Sequence, residues 1–380
     1  MSEVILDAAP VGARAIPPGE GGALGKTGFA WAWFEAVRNP YYILIVIYVF
    51  APYFARDIVG ADILASGKLD GLDPEAARRA AGAEGQAMVA SLSKTAGYIA
   101  AFTAPFLGAA FDRGLRRKPL LLICLALISV VSLSLWWAIP GPEGFSTTAV
   151  MSLLIAAYVA FSYSEVAHNS MLPDAAAPSA LPAVSGMGLA LGNAVATVMF
   201  VGLVICFALP DAIGWPTKEA MFGIDTSRFE QFRIAGPLCG IWMIASMWYF
   251  FRHARDTGVK GTSPITAISE GAKGVIRTVR RAAHHREAFK FLIARIIYAD
   301  GMFALLTMGA VYVSLFLGWG LIELTIYAIW ASAWAVVGGI FGGWLDQRVG
   351  PKNALVGELV AIVLILFLGL SITRDSAFFG

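Results

Sequence analysis

Nine stretches of this 380-residue chain are apolar for long enough to cross a lipid bilayer, and that limits the fold more than any motif does. Crossing about 30 Å of hydrocarbon takes about 20 apolar residues in a helix, and in lipid only helices or closed barrels pair every backbone group. The expected spans are 29–55, 88–111, 119–139, 148–171, 181–209, 234–251, 288–316, 322–345 and 354–372. Hydrophobic residues make up 58% of the chain and charged residues 14%. Soluble domains carry about 45–50% and 25%, so a soluble enzyme and a disordered chain are both excluded. A net charge of +2 offers no basic field for nucleic acid. The fold expected is an all-α membrane protein, a helical bundle whose first partner is the lipid bilayer. Cys124, Cys206 and Cys239 lie in apolar stretches, far in sequence from one another and from any His. No metal site, cofactor or disulfide is expected, and no nucleophile–base pattern marks an enzyme.

Loop charge sets the orientation. Basic residues crowd the connections after spans 2, 6 and 8, including Arg113, Arg116, Arg117, Arg252, Arg255, Arg348 and Lys352. The loop after span 1 carries six acids against three bases between Asp57 and Glu84. Basic loops stay on the cytoplasmic side, so the amino terminus is expected there too, in a bacterial inner membrane. Residues 1–28 read as a cytosolic tail and 29–251 as a six-helix bundle. Residues 252–287 read as a cytoplasmic linker, and 288–380 as part of a second bundle. Within the linker, Ser263-Pro264 is a helix start. Apolar and basic residues then take opposite sides, as in a helix lying on the inner leaflet; a soluble linker is the other reading.

Two segments six spans apart repeat one pattern. Gly108-x-x-x-Asp112-Arg113 follows span 2, with Gly114 and then Arg116-Arg117-Lys118. Gly342-x-x-x-Asp346-Gln347-Arg348 follows span 8, with Gly350 and Lys352. This resembles the signature loop of the major facilitator superfamily; Gly114 of the first copy comes early. Trp33-Phe-Glu-Ala-Val-Arg-Asn-Pro-Tyr-Tyr42, Phe50-Ala-Pro-Tyr-Phe54, Met171-Leu-Pro-Asp174 and Tyr298-Ala-Asp-Gly301 are similar to the vacuole-effluxer-like branch of that superfamily. The resemblance implies twelve spans in two pseudo-symmetric bundles, alternating access, and gating by Gly108, Asp112, Arg113, Arg116, Arg117, Gly342, Asp346, Arg348 and Gly350. Nine spans leave the second bundle half built, so the resemblance further implies a truncated chain, a membrane partner that supplies the missing helices, or a protein that functions without them. It also implies that Asp346 meets the start of span 5, near Leu181–Val184. For its eukaryotic members it implies amino-acid export from the vacuole.

Ionisable groups inside spans are costly and mark function. Asp300 lies nine residues into span 7, about 14 Å along the helix, near the bilayer midplane. It is expected either to couple a proton or solute, or to form a structural ion pair; Arg295 snorkels or supports it. In span 4, Tyr158, Ser162, Glu165 and Asn169 recur on one face, flanked by His168. Glu165 and His168, one turn apart, can share a proton. Glu165 or Asp174 can instead pair with Arg113 or Arg116 in a gate, or act as a cap. In span 1, Glu35 and Arg38 are one turn apart and can pair. Asn39 adds donors, and Pro40 can kink the helix and free a carbonyl. These residues form either a solute-orienting cluster or an interfacial anchor. Asn193 follows Gly188-x-x-x-Gly192, a close-packing pattern that recurs as Gly338-x-x-x-Gly342 and Gly339-x-x-x-Gly343. The function expected is secondary transport of a small polar solute, an amino acid or related metabolite, with possible proton coupling. The alternative is a facilitator remnant that serves as a structural subunit.

Overall fold

The computed structural model describes residues 25–210, 214–259, 286–316 and 321–369, with short pieces between 263 and 274. Among the described residues the regular structure is helical throughout. The first span is one continuous rod, Lys26–Ala65. It begins as α1 (Lys26–Pro40) and passes through a π-helical segment (Tyr41–Tyr48) into α2 (Phe50–Tyr53). A second π-helical segment (Phe54–Val59) leads into α3 (Gly60–Ala65). The change to π geometry starts at Pro40, whose missing N–H breaks the α-helical ladder. The apolar window of this rod is the most buried of the candidate spans. Phe34, Tyr41, Leu44, Ile45, Phe50 and Phe54 are all fully buried along it, so the rod is the axis of the core.

Five long helices pack with it. They are α4 (Pro74–Asp112), α5 (Arg117–Ser134), α6 (Thr147–Asn169), α7 (Leu181–Leu203) and α9 (Ala235–Ser246). Two short helices flank α9: α8 (Glu230–Arg233) and α10 (Trp248–His253). The second part of the chain supplies α11 (Arg286–Phe316), α12 (Leu321–Val349) and α13 (Pro351–Gly369). Seven helical stretches are long and apolar enough to span a membrane. The expected second and seventh spans fall within α4 and α11. At 39 residues, or about 58 Å, α4 outreaches the hydrocarbon. Asp73 caps its start, accepting from the backbone N–H of Glu75 and Ala76, with Pro74 at the first helical position. The amphipathic helix expected after Ser263 lies mostly outside the described residues. Of the described ones, Ala267 is buried and Gly271 packs against Ala109 at the end of α4.

Glycines set the closest approaches. Gly188 of α7 sits on Trp31 and Ala32 of α1, and Gly192 sits on Glu35 and Asn39. A different edge of α7 meets α12. A Cβ on Gly186 would collide with the carbonyl oxygen of Gly339, and one on Gly343 would lie 2.8 Å from that of Pro182. Of the two overlapping patterns in span 8, the Gly339/Gly343 register is the one packed on α7. A Cβ on Gly338 would meet no described atom. Small residues let helix backbones approach where lipid provides no hydrophobic drive of its own.

Gly186→Leu is therefore expected to cost about 1–3 kcal/mol of stability by overpacking, and Gly338→Leu much less. Thermal melting of both variants in one detergent checks this.

Candidate functional site

Helix spacing places Trp31, Phe34, Glu35 and Arg38 on one face of α1, and Phe161, Glu165 and His168 on one face of α6. The two faces meet. The Trp31 indole donates to the carbonyl oxygen of His168 at 2.9 Å. The Nε2 of His168 lies 2.9 Å from the carbonyl oxygen of Trp31. The imidazole, with no exposed surface, is stacked between Trp31 and Phe34, its centroid 4.2 and 4.4 Å from theirs. Its Nδ1 is 3.1 Å from Glu35 Oε1, without the alignment of a full hydrogen bond.

This geometry favours one tautomer of the ring. A carbonyl oxygen only accepts, so Nε2 carries hydrogen. Nδ1 then faces a carboxylate oxygen. If neither atom bore a proton, two lone pairs would oppose each other at 3.1 Å in a buried, low-dielectric place. A proton on Nδ1 or on Glu35 would relieve that opposition, beside the two bonds that Glu35 accepts from Arg38. Spacing within α6 offered Glu165 as the partner of His168; the structure corrects this to Glu35, because stacking on Trp31 and Phe34 turns the ring towards α1.

Arg38 continues the cluster outward. Its Nη2 donates to both oxygens of Glu35, at 3.0 and 2.9 Å. Its Nη1 is 3.7 Å from Glu165 Oε2. The guanidinium lies over the Phe161 ring at 4.4 Å, a favourable seat for a desolvated cation. The side chain of Arg38 is 6% exposed, that of Glu35 19% and that of Glu165 53%. The cluster thus runs from a sealed imidazole through a buried ion pair to an accessible carboxylate. Arg38 Nε and Nη1 have no hydrogen-bond partner among the described residues, nor do the hydroxyls of Tyr41 and Tyr158.

The freed carbonyl expected at Pro40 is accounted for. Proline cannot donate to the oxygen of Ala36, four residues earlier. Trp242 Nε1 of α9 donates to that oxygen at 2.9 Å. Further bonds tie α1 to its surroundings, from Trp33 Nε1 to the oxygen of Ser246 and from Thr27 Oγ1 to that of Ala175.

The remaining predicted residues are dispersed. Asn39 packs on Gly192, and the Asn193 amide donates to Leu189 of its own helix. Asn169 is exposed. Asp300 and Arg295 are exposed on α11, Arg295 lying over the Tyr298 ring, and no described contact joins either to the α1–α6 cluster. At the loops, Gly114 and Gly350 share the left-handed conformation, with φ of 90° and 83°. The turns differ in length: residues 113–116 separate α4 from α5, whereas Gly350 alone separates α12 from α13. Gln347, next to Asp346, donates to the carbonyl of Ser179 just before α7.

Sequence reasoning missed a buried carboxylate on the basic side. Asp256 accepts from the backbone N–H of Arg117 at 3.2 Å and of Lys118 at 3.0 Å, capping α5 from 138 residues away. Arg116 lies 3.7 Å from it. Thr257 receives a bond from Arg117 and donates to Asp174. Val259 donates to the carbonyl of Gly114. Asp174 and Arg116 thus belong to the network round Asp256, to which Arg117 adds a bond to Ser170. The one signal in the sequence was a lone acid in the basic run Arg252-His-Ala-Arg255.

A bundle of spanning helices round buried charges defines an integral membrane protein that sits in a lipid bilayer. Residues 86–380 match the model of the family described as "Vacuole effluxer Atg22 like", and the chain belongs to that family, which is of the major facilitator type. Membership marks a transporter of small solutes such as amino acids, in a family of transporters rather than enzymes. The matched region holds Glu165, His168, Asp256 and Asp300; Glu35 and Arg38 precede it. Comparison with curated proteins gives no match.

Trp242→Phe should cost about 1–3 kcal/mol by removing a donor from a buried carbonyl. In that background Pro40→Ala, which restores an N–H, should stabilise more than it does alone, with a coupling of about 0.5 kcal/mol or more. Melting of the two single variants and the double variant tests this.

Proposed function

We propose that this chain is a secondary active transporter that moves an amino acid or related small polar solute by alternating access, and that the proton held between Glu35 and His168 couples the movement. The single observation that supports this reading is the pairing of Nδ1 with a carboxylate in a ring whose other nitrogen is committed to a carbonyl. Such a pair changes its interaction sharply when its proton leaves. With the proton, Trp31, His168 and Glu35 hold α1 against α6. Without it, the carboxylate and the imidazole lone pair repel and the contact weakens. Arg38 transmits that change to Glu165, the accessible carboxylate, where a solute ammonium group can be received. Residues 29–251 then act as one bundle and 288–380 as part of another, joined through the cytoplasmic linker. The loops at Asp112 and Asp346 gate the cytoplasmic side, and the basic loops support an amino terminus in the cytoplasm of a bacterial cell.

Proteoliposome flux against an amino-acid panel tests this. Glu35→Gln is expected to lower flux driven by a pH gradient by about a hundredfold, the low end for a positioned proton-transferring group, while solute exchange at equal pH persists. Undiminished pH-driven flux would contradict the proposal. Loss in Asp300→Asn alone would move the coupling site to α11.

A further inference from the structure

On the opposite side of α1 from the charge cluster lies an open groove of about 450 Å³. Its lining comes from Phe29 and Trp33 of α1, Trp242 and Ala245 of α9, and Trp248 and Tyr249 of α10. The rings interlock: Trp33 lies 6.3 Å from Trp242, and Phe29 meets Tyr249 edge-on at 5.5 Å. Trp248 and Ala245 are exposed at its edge.

The groove's polar groups are largely consumed within the protein. The Trp33 indole donates to the carbonyl of Ser246, the Trp242 indole to that of Ala36, and the Ser246 hydroxyl to that of Trp242. A polar solute finds little to bond there, whereas an alkyl chain finds a wall of aromatic faces. One end of the groove is cationic. Lys26 precedes Phe29 and Trp33 by three and seven residues, so it continues their face of α1. Arg252 follows Trp248 by four on α10. Both are exposed, one turn beyond the lining. Lys118, in the basic loop after span 2, donates to the carbonyl of Phe251 beside Arg252. The mouth therefore lies on the basic side, where Trp, Tyr and Arg anchor a helix bundle at headgroup level.

From this juxtaposition we infer that the groove is a binding site for one bilayer phospholipid with an anionic headgroup. An acyl chain lies along Trp33, Trp242 and Ala245, and the headgroup phosphate lies between Lys26 and Arg252. The charge at the mouth selects the headgroup, and the aromatic floor holds the chain. The groove shares none of its lining residues with the Glu35–His168 pair.

Native mass spectrometry of the full chain, released from nanodiscs with equal amounts of phosphatidylglycerol and phosphatidylcholine, reads the site directly. The wild-type chain is expected to retain one phosphatidylglycerol. Lys26→Gln with Arg252→Gln should lower the preference for it over phosphatidylcholine by roughly thirtyfold, since each surface cation contributes about 1 kcal/mol towards an anionic lipid. Ala245→Trp fills the groove without touching the cations and should abolish retention of either lipid. Circular dichroism confirms that each variant is folded. Equal retention of the two lipids by the wild-type chain, or retention unaffected by Ala245→Trp, would overturn the inference. A dimer lost on Ala245→Trp would overturn it too, by making the groove an interface between copies.

Discussion

Two hydrogen bonds running in opposite directions hold the first span to the fourth. Trp31 donates to the backbone of His168, and the His168 ring donates to the backbone of Trp31. In each bond an aromatic side chain of one helix meets a main-chain carbonyl of the other. The reciprocal pair therefore fixes the separation and register of α1 and α6 together. The charge cluster between the two helices follows from that register. It carries the imidazole to Glu35, lets Arg38 reach both Glu35 and Glu165, and seats the guanidinium over Phe161.

The surroundings of α1 keep that register rigid. Pro40 ends the regular ladder, yet the carbonyl it leaves is met by Trp242, so the rod passes into π geometry there with Ala36 still paired. On another side the glycines of α7 bring that helix down onto Trp31, Glu35 and Asn39. The opposite edge of α7 meets α12 through Gly186, Gly339 and Gly343. One helix thus touches both the proton pair and the second part of the chain. Those contacts are made at glycines, where helix backbones approach closely.

Much of this was legible in the sequence where the physics is local. Apolar run length gave helices in every expected span, and the spacing of Glu35 and Arg38 gave their ion pair. The missing N–H of Pro40 implied a carbonyl in need of a donor. The repeated Gly-x-x-x-Asp pattern, with the motifs of span 1, led to the right family. What could not be read depended on how helices cross. His168 has a carboxylate one turn away in its own helix, and only the stack on Trp31 and Phe34 shows that it faces Glu35. Asp256 lies far along the chain from the helix it caps, and no periodicity links the two. Which of the two overlapping glycine patterns in span 8 packs on α7 likewise needs the partner helix. Asp300, the most conspicuous charge in the sequence, is exposed on α11, and no described contact joins it to the buried cluster.

The central proposal is that a proton resides between His168 and Glu35. Nitrogen-15 magnetic resonance of the His168 ring in lipid, read alongside the infrared carboxyl band assigned through Glu35→Gln, measures it. A ring protonated on both nitrogens beside an ionised Glu35, or a neutral ring beside a protonated Glu35, is the expected result. A neutral ring lacking hydrogen on Nδ1 beside an ionised Glu35 would contradict the account.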